Sequence, residues 1–226
     1  MGLTFLRTIR LFSGLIIFGI GLAMMLESRL GVGAWEVFHE GLASHVNLEI
    51  SLHSYSINLG GVGVISVLSG AIVLLLWIPL GERPGIGTIL NMSVTGIALD
   101  VAMALIPTVS HLGVQIVMVL VAPSVVAVGT ILYIGAGLGP GPRDGLMTGL
   151  ARKGIPIPIG RTLIELSVLV VGYLLGGTIG LGTIWFAFTI GPLIRLYARN
   201  VDSSLDSSLR HSHYGDRSCV LSIRNR

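Results

Sequence analysis

Charge is what this chain lacks most. Only 11% of its 226 residues are Asp, Glu, Lys or Arg, against about 25% in an ordinary soluble domain. So few charges cannot cover a water-facing surface, which excludes a soluble globular protein. Cysteine is close to absent. Cys219 stands alone in a polar stretch near the C-terminus, so the chain has neither an internal disulfide nor a Cys-based metal spacing. Aromatics make up 6%, and no Lys/Arg stripe is interleaved with them. The net charge of +3 therefore reads as membrane topology, not as a nucleic-acid interface. Catalytic motifs are missing as well. His39-Glu40 and His45 fail the HExxH spacing, because the second His comes too late to share a helix face. His53 adds a ligand type without a fixed spacing. No GxSxG, Walker A or GxGxxG motif occurs in a fitting context. The expectation is a protein that is no enzyme and carries no cofactor or metal.

What the chain has is apolar length. Hydrophobic residues are 52% of it and glycines number 32. Several runs exceed the ~18 to 20 apolar residues that cross a bilayer. In lipid the backbone must satisfy itself, and runs without period-two alternation choose helices over a barrel. The pattern predicts an all-α polytopic membrane protein with six spans, at roughly 9–30, 57–80, 85–107, 112–138, 159–176 and 181–199. They form one transmembrane domain, 1–199, followed by a polar flexible cytoplasmic tail, 200–226. Arg7 and Arg10 ahead of the first apolar run resemble a signal peptide. No small-residue cleavage site precedes Glu27, so the segment is expected to stay as a span. With the N-terminus inside, nearly every Lys and Arg of the short loops is inside and only Arg29 is outside. Both termini are therefore expected in the cytoplasm. Trp35, Trp77 and Trp185 fall near the expected interfaces, as belt residues do. Pro123 should kink the fourth span.

The chain also says one thing twice. Leu30-Gly31-Val32-Gly33-Ala34-Trp35-Glu36, running on to Gly41-Leu42-Ala43, returns as Leu138-Gly139-Pro140-Gly141-Pro142-Arg143-Asp144, running on to Gly149-Leu150-Ala151. The offset is 138 − 30 = 108. Gly85, Gly87-Thr88-Ile89 and Gly96 return as Gly180, Gly182-Thr183-Ile184 and Gly191, offset by 180 − 85 = 95. Two repeats of three spans each, about 9–107 and 112–199, account for both offsets. An odd number of spans turns the second repeat upside down, giving two inverted three-helix repeats. In each copy the glycines (Gly31 and Gly33, Gly139 and Gly141) permit unusual backbone angles and close packing. A short helix then begins with an acid, Glu36 or Asp144, near its positive end. Two readings stand side by side: an amphipathic connector lying in the interface, or a re-entrant half-helix dipping toward the midplane.

Ionisable residues within spans are candidates for function. Asp100 lies inside the third span. Its repeat counterpart, Arg195, is expected to snorkel to the inner interface. Arg161 and Glu165 are one turn apart on the fifth span, where an anchoring ion pair competes with a solute or proton site. Asn91 and Ser93 are expected to bond neighbouring helices. The candidate pathway set is therefore Asp100, Glu165, Arg161, Arg143, Asp144 and Glu36. The Gly-Pro-Gly-Pro-Arg-Asp-Gly stretch could also form an anion nest or a plain cytoplasmic turn.

The segment Leu138 to Ala151, the Gly81-Glu82-Arg83-Pro84-Gly85-Ile86-Gly87-Thr88 turn and the run from Gly182 to Pro192 resemble the YczE/YyaS-type bacterial integral membrane proteins, themselves distantly like the YitT group. The likeness covers about residues 10–199. It implies a multi-pass protein of the bacterial plasma membrane and carries over no substrate and no functional residue. The expected function is a small-solute transporter or exporter working by alternating access between the repeats. The alternatives are a channel, or an accessory membrane protein that supports a partner enzyme or pump. The partners are then the lipid bilayer and a small solute or ion. A second copy or a membrane protein partner stays open.

Overall fold

The computed structural model describes residues 2–46, 49–52, 55–58, 61–155 and 157–209. Among the described residues, eight helices run in the order α1 (Gly2–Ser28), α2 (Ala34–Ala43), α3 (Val62–Leu80), α4 (Ile86–Leu105), α5 (Leu112–Ile134), α6 (Pro142–Arg152), α7 (Ile157–Leu174) and α8 (Leu181–Leu209). An antiparallel hairpin, β1 (Glu49–Leu52) with β2 (Tyr55–Asn58), lies between α2 and α3 and pairs Glu49 with Asn58. α1, α3, α4, α5 and α8 are long and apolar enough to cross a membrane. The described apolar stretch of α7 is shorter, Thr162–Leu174. α2 and α6, at 10 and 11 residues, are too short to span.

Three expectations meet a different outcome. The second span starts at Val62 rather than near 57, because Tyr55–Asn58 pairs as a strand. α8 does not stop at 199 but continues to Leu209, through residues that the sequence reading assigned to the tail; the rest of the tail lies outside the described residues. Trp35 and Trp77 are buried, at 7% and 1% exposure, and are not belt residues. The Trp77 indole fills the space left by the missing side chain of Gly145 and donates a 2.9 Å hydrogen bond to the Pro142 carbonyl. Trp185 is exposed.

α1 is the centre of the bundle, packed along α4 and α5, with α8 on α5. α1 and α5 run antiparallel and approach through small residues. A Cβ at Gly14 would lie 2.6 Å from the Tyr133 nitrogen, and one at Gly129 would lie 2.6 Å from the Phe18 nitrogen. Gly21 makes the same close approach to Ala122 and Val126. Close backbones of this kind replace the hydrophobic drive that lipid cannot supply. Leu11, Leu15, Phe18, Leu99 and Val126 fill the resulting core. The outward faces are apolar at helical spacing: Leu68, Ile72, Leu75 and Leu76 on α3, Ile97, Val101 and Leu105 on α4, and Leu163, Leu166, Val170 and Leu174 on α7 are all exposed. Bands that wide on a water-facing monomer would drive association; acyl chains cover them in a bilayer.

The short helices pack crosswise. α2 lies on α7 as well as α3, and α6 lies on α3 and more lightly on α7. The breaks ahead of them are held in matching ways. The Leu30 carbonyl accepts from the Gly182 nitrogen at 2.8 Å, and the Leu138 carbonyl accepts from the Gly87 nitrogen at 2.8 Å. Gly31 and Gly139 have φ of 120° and 126°, a region that side-chain-bearing residues avoid. A Cβ on either would meet the threonine hydroxyl opposite, Thr183 or Thr88.

Candidate functional site

The two repeated segments bring their helix starts together. Gly33 and Gly141 are the N-caps of α2 and α6, with ordinary extended backbone. Their value lies in space, not in φ, since a Cβ on Gly33 would strike the Glu36 carboxylate and one on Gly141 would sit 3.1 Å from Asp144 Oδ2. Each acid thus folds back over its own helix start, where the backbone N–H groups are unsatisfied. Pro142 occupies the first helical position of α6, where its missing N–H costs nothing.

Glu36 and Arg143, from opposite halves of the chain, meet with Oε1 and Nη1 3.8 Å apart. Glu36 is 2% exposed. Arg143 also stands over the Phe18 ring, 5.2 Å from its centroid. Asp144 accepts a 2.8 Å hydrogen bond from the Tyr133 hydroxyl. His39 Nε2 lies 2.8 Å from Ser69 Oγ, and the Ser69 hydroxyl donates to the Ser66 carbonyl at 3.0 Å. The imidazole therefore donates through Nε2. Burial holds His39 down to about 3, helped by the charge of Arg143, so the ring is neutral. Burial pushes the Glu36 carboxyl up, while Arg143 pulls it back. Burial also works against the Arg143 charge, but Glu36, Asp144, Tyr133 and Glu165 outweigh it and raise its pKa.

These groups border a cavity of about 60 Å³. Its wall comprises Phe18 and Leu22 of α1, Trp35, Glu36 and His39 of α2, Ser66, Ser69, Gly70 and Val73 of α3, Asn91, Met92 and Thr95 of α4, and Pro142 and Arg143 of α6. The lining positions sit near the middle of α1, α3 and α4. Phe18 is ten residues, or about 15 Å at 1.5 Å per residue, from the Ser28 end of α1. A larger cavity of about 330 Å³ lies at that end, beside Glu27, Arg29, Gly31, Val32 and Glu40. The far ends of the short helices are tied down as well. The Thr178 nitrogen donates to Glu40 at 2.7 Å, while Glu82 accepts from Thr148 at 2.8 Å and pairs with Arg152.

Of the expected site residues, Glu36, Arg143 and Asp144 are gathered here, and Glu165 of α7 is near enough for its charge to act on both Glu36 and Arg143. Arg161 lies on α7, with its side chain outside the described part. Asp100 stands apart: its Oδ1 accepts from the Gly63 nitrogen at 2.8 Å, capping the first turn of α3. Trp35, His39, Ser69, Asn91, Thr95 and Tyr133 are site-bordering residues that the sequence reading did not select. Asn91 and Thr95 carried a usable signal, because two polar residues one turn apart in an apolar span share a face. Among the described residues, no three His, Cys, Asp or Glu side chains group as a metal site.

Two curated relatives are similar over most of their length. An uncharacterized protein of Haemophilus influenzae is 35% identical over 184 residues, covering 81% of this chain and 79% of the relative. The uncharacterized membrane protein YczE of Bacillus subtilis is 33% identical over 186 residues, covering 81% of each. No solved structure matches. The model of a family of unknown function, DUF6198, matches residues 5–199, which takes in all the helices that can span and the whole cavity wall; this membrane protein belongs to that family.

Proposed function

We propose that the chain is a small-solute transporter or exporter of the bacterial plasma membrane, with both termini cytoplasmic, built from two inverted repeats that rock about the central cavity. The inverted reading is supported by the pairs of contacts whose roles are exchanged between halves: Leu30 with Gly182 against Leu138 with Gly87, and Gly14 with Gly129 against Ala122 with Gly21. The antiparallel packing of α1 on its sequence counterpart α5 supports it too. In this orientation α2 enters from the outer face and α6 from the inner face.

The observation that carries the reading is the Glu36–Arg143 contact beside a cavity at mid-span. Two helices lying in opposite interfaces would be about 30 Å apart. With the halves inverted, a separation of 3.8 Å supports both dipping inward, as half-helices whose irregular backbone lines a cavity. Solute would bind where the half-helix starts meet. Rocking one half against the other would part Glu36 from Arg143 toward one face at a time.

The test is charge movement and solute uptake in liposomes holding the purified protein, across a panel of small solutes. Glu36→Gln and Arg143→Met should each abolish a flux that the wild type shows. A folded, monodisperse protein that moves none of them would overturn the proposal. The meeting of two half-helices also favours a channel. Unitary current steps in planar bilayers would select that reading, since alternating access produces none.

A further inference from the structure

The wall of the central cavity is left unfinished by its own side chains. Arg143 brings five N–H donors. Among the described residues, its ion-pair partner Glu36 is 3.8 Å away, beyond hydrogen-bonding reach, and the Phe18 ring is 5.2 Å away. Trp35 Nε1 and Thr95 Oγ1 are buried with no hydrogen-bond partner, on residues 7% and 6% exposed that line the same cavity. Native interiors rarely leave such groups unpaired without a reason. The Asn91 amide adds further donors to the wall. The first turns of α2 and α6 both reach the cavity and bring the positive ends of two helices to it. The nearby carboxylates are engaged: Glu36 with its own backbone nitrogen, Asp144 with the Tyr133 hydroxyl, and Glu165 with a partner of its own. The wall thus presents a guanidinium and two buried polar groups without partners. The volume of about 60 Å³ is well below the ~150 Å³ that admits benzene, which leaves room for a solute of three or four heavy atoms.

We propose that this cavity binds a small monovalent oxyanion of the carboxylate kind, with Arg143 as its main partner and Trp35, Thr95 and Asn91 completing the shell. The proposal rests on the transport reading and names its solute class. A planar oxyanion would take the guanidinium in a fork-to-fork arrangement and displace Glu36, which holds Arg143 loosely when the site is empty. Glu36 is then a competitor of the solute and not a ligand. Anions larger than about four heavy atoms would be excluded by Trp35 and Phe18.

Binding is measured directly, so that its failure is distinct from a failure of transport. Detergent-purified full-length protein is titrated calorimetrically with sodium formate, acetate or nitrate, against gluconate at equal ionic strength as the oversized control and methylammonium chloride as the cation control. Saturable heat is expected for the three small anions and none for the two controls. Arg143→Lys should weaken binding roughly tenfold or more, because an ammonium cannot form the fork. Thr95→Val, which leaves the ion pair untouched, should weaken it severalfold. Glu36→Gln should tighten it. No saturable heat from wild-type protein that elutes monodisperse overturns the proposal. So does methylammonium binding that Glu36→Gln abolishes, which would make the site cationic, and so does equal binding of gluconate. Anion binding without flux refutes the transport reading alone, whereas flux of other solutes without anion binding refutes this proposal alone.

Discussion

The Glu36–Arg143 contact joins the two halves of the chain, and its energy can be bounded. At 3.8 Å and an effective dielectric of about 20, the Coulomb attraction is about 4 kcal/mol. Arg143 keeps 29% of its side chain exposed, which screens part of that, so a coupling of about 2 kcal/mol is expected. Removing either partner alone leaves the other as an isolated charge in a dry setting, at about 3 kcal/mol. A double-mutant cycle separates the two quantities. Wild type, Glu36→Gln, Arg143→Met and the double variant would be unfolded in mixed detergent–SDS micelles and followed by circular dichroism. The double variant should be less destabilised than the sum of the singles by about 2 kcal/mol. The Arg143→Met protein has a further signature. Burial raises the Glu36 pKa in the folded state, so the folded protein binds that proton more readily than the unfolded chain does. Its stability should therefore be highest at low pH and fall as pH rises through the folded pKa. Additive single effects, within about 0.5 kcal/mol, would show that the pair does not couple the halves and would refute the reasoning.

Three further outcomes follow from the packing. Gly14→Leu and Gly129→Leu each put a Cβ 2.6 Å from a backbone nitrogen, so each should cost at least 1–3 kcal/mol by overpacking; an unchanged melting temperature in detergent would contradict the close approach of α1 and α5. Gly139→Ala, at φ 126° and facing Thr88, should destabilise by about 1–3 kcal/mol. Gly137→Ala, at φ 67° with open space around it, should cost about 1 kcal/mol, so equal melting shifts for the two would count against the role given to the Thr88 contact. Asp100→Ala removes the oxygen that caps α3. It should lower stability by about 1 kcal/mol and leave anion binding unchanged; loss of that binding would move Asp100 into the site.

The spans were legible because apolar length alone dictates helices in lipid. The departures were physical and local. Glu49-Ile50-Ser51-Leu52 alternates polar and apolar residues, a strand signal that a search for long apolar runs passes over. α8 runs on to Leu209 because no Gly or Pro interrupts residues 193–209. Trp35 and Trp77 were misplaced because a belt position and a core position look alike in sequence, and only the absent Cβ of Gly145 makes room for the Trp77 ring. The echo of Glu36 in Asp144 marked the right segments. That Glu36 would face Arg143 across the halves could not be read from charges expected on opposite faces. Trp35 was invisible as a site residue, since what distinguishes it is the lack of a partner in three dimensions.

The crossed backbone bonds also set a timetable for biogenesis. The Leu30 carbonyl is closed by the Gly182 nitrogen, which is made 182 − 30 = 152 residues later. At about 5–20 residues per second, the break ahead of α2 stays open for roughly 8 to 30 s after it is synthesised. Glu36 waits most of that time for Arg143. The first half therefore resides in the membrane with an unpaired acid until α6 arrives, and with an unclosed backbone until α8 does. In that interval insertion machinery has to shelter it, and membrane quality-control proteases have their clearest target.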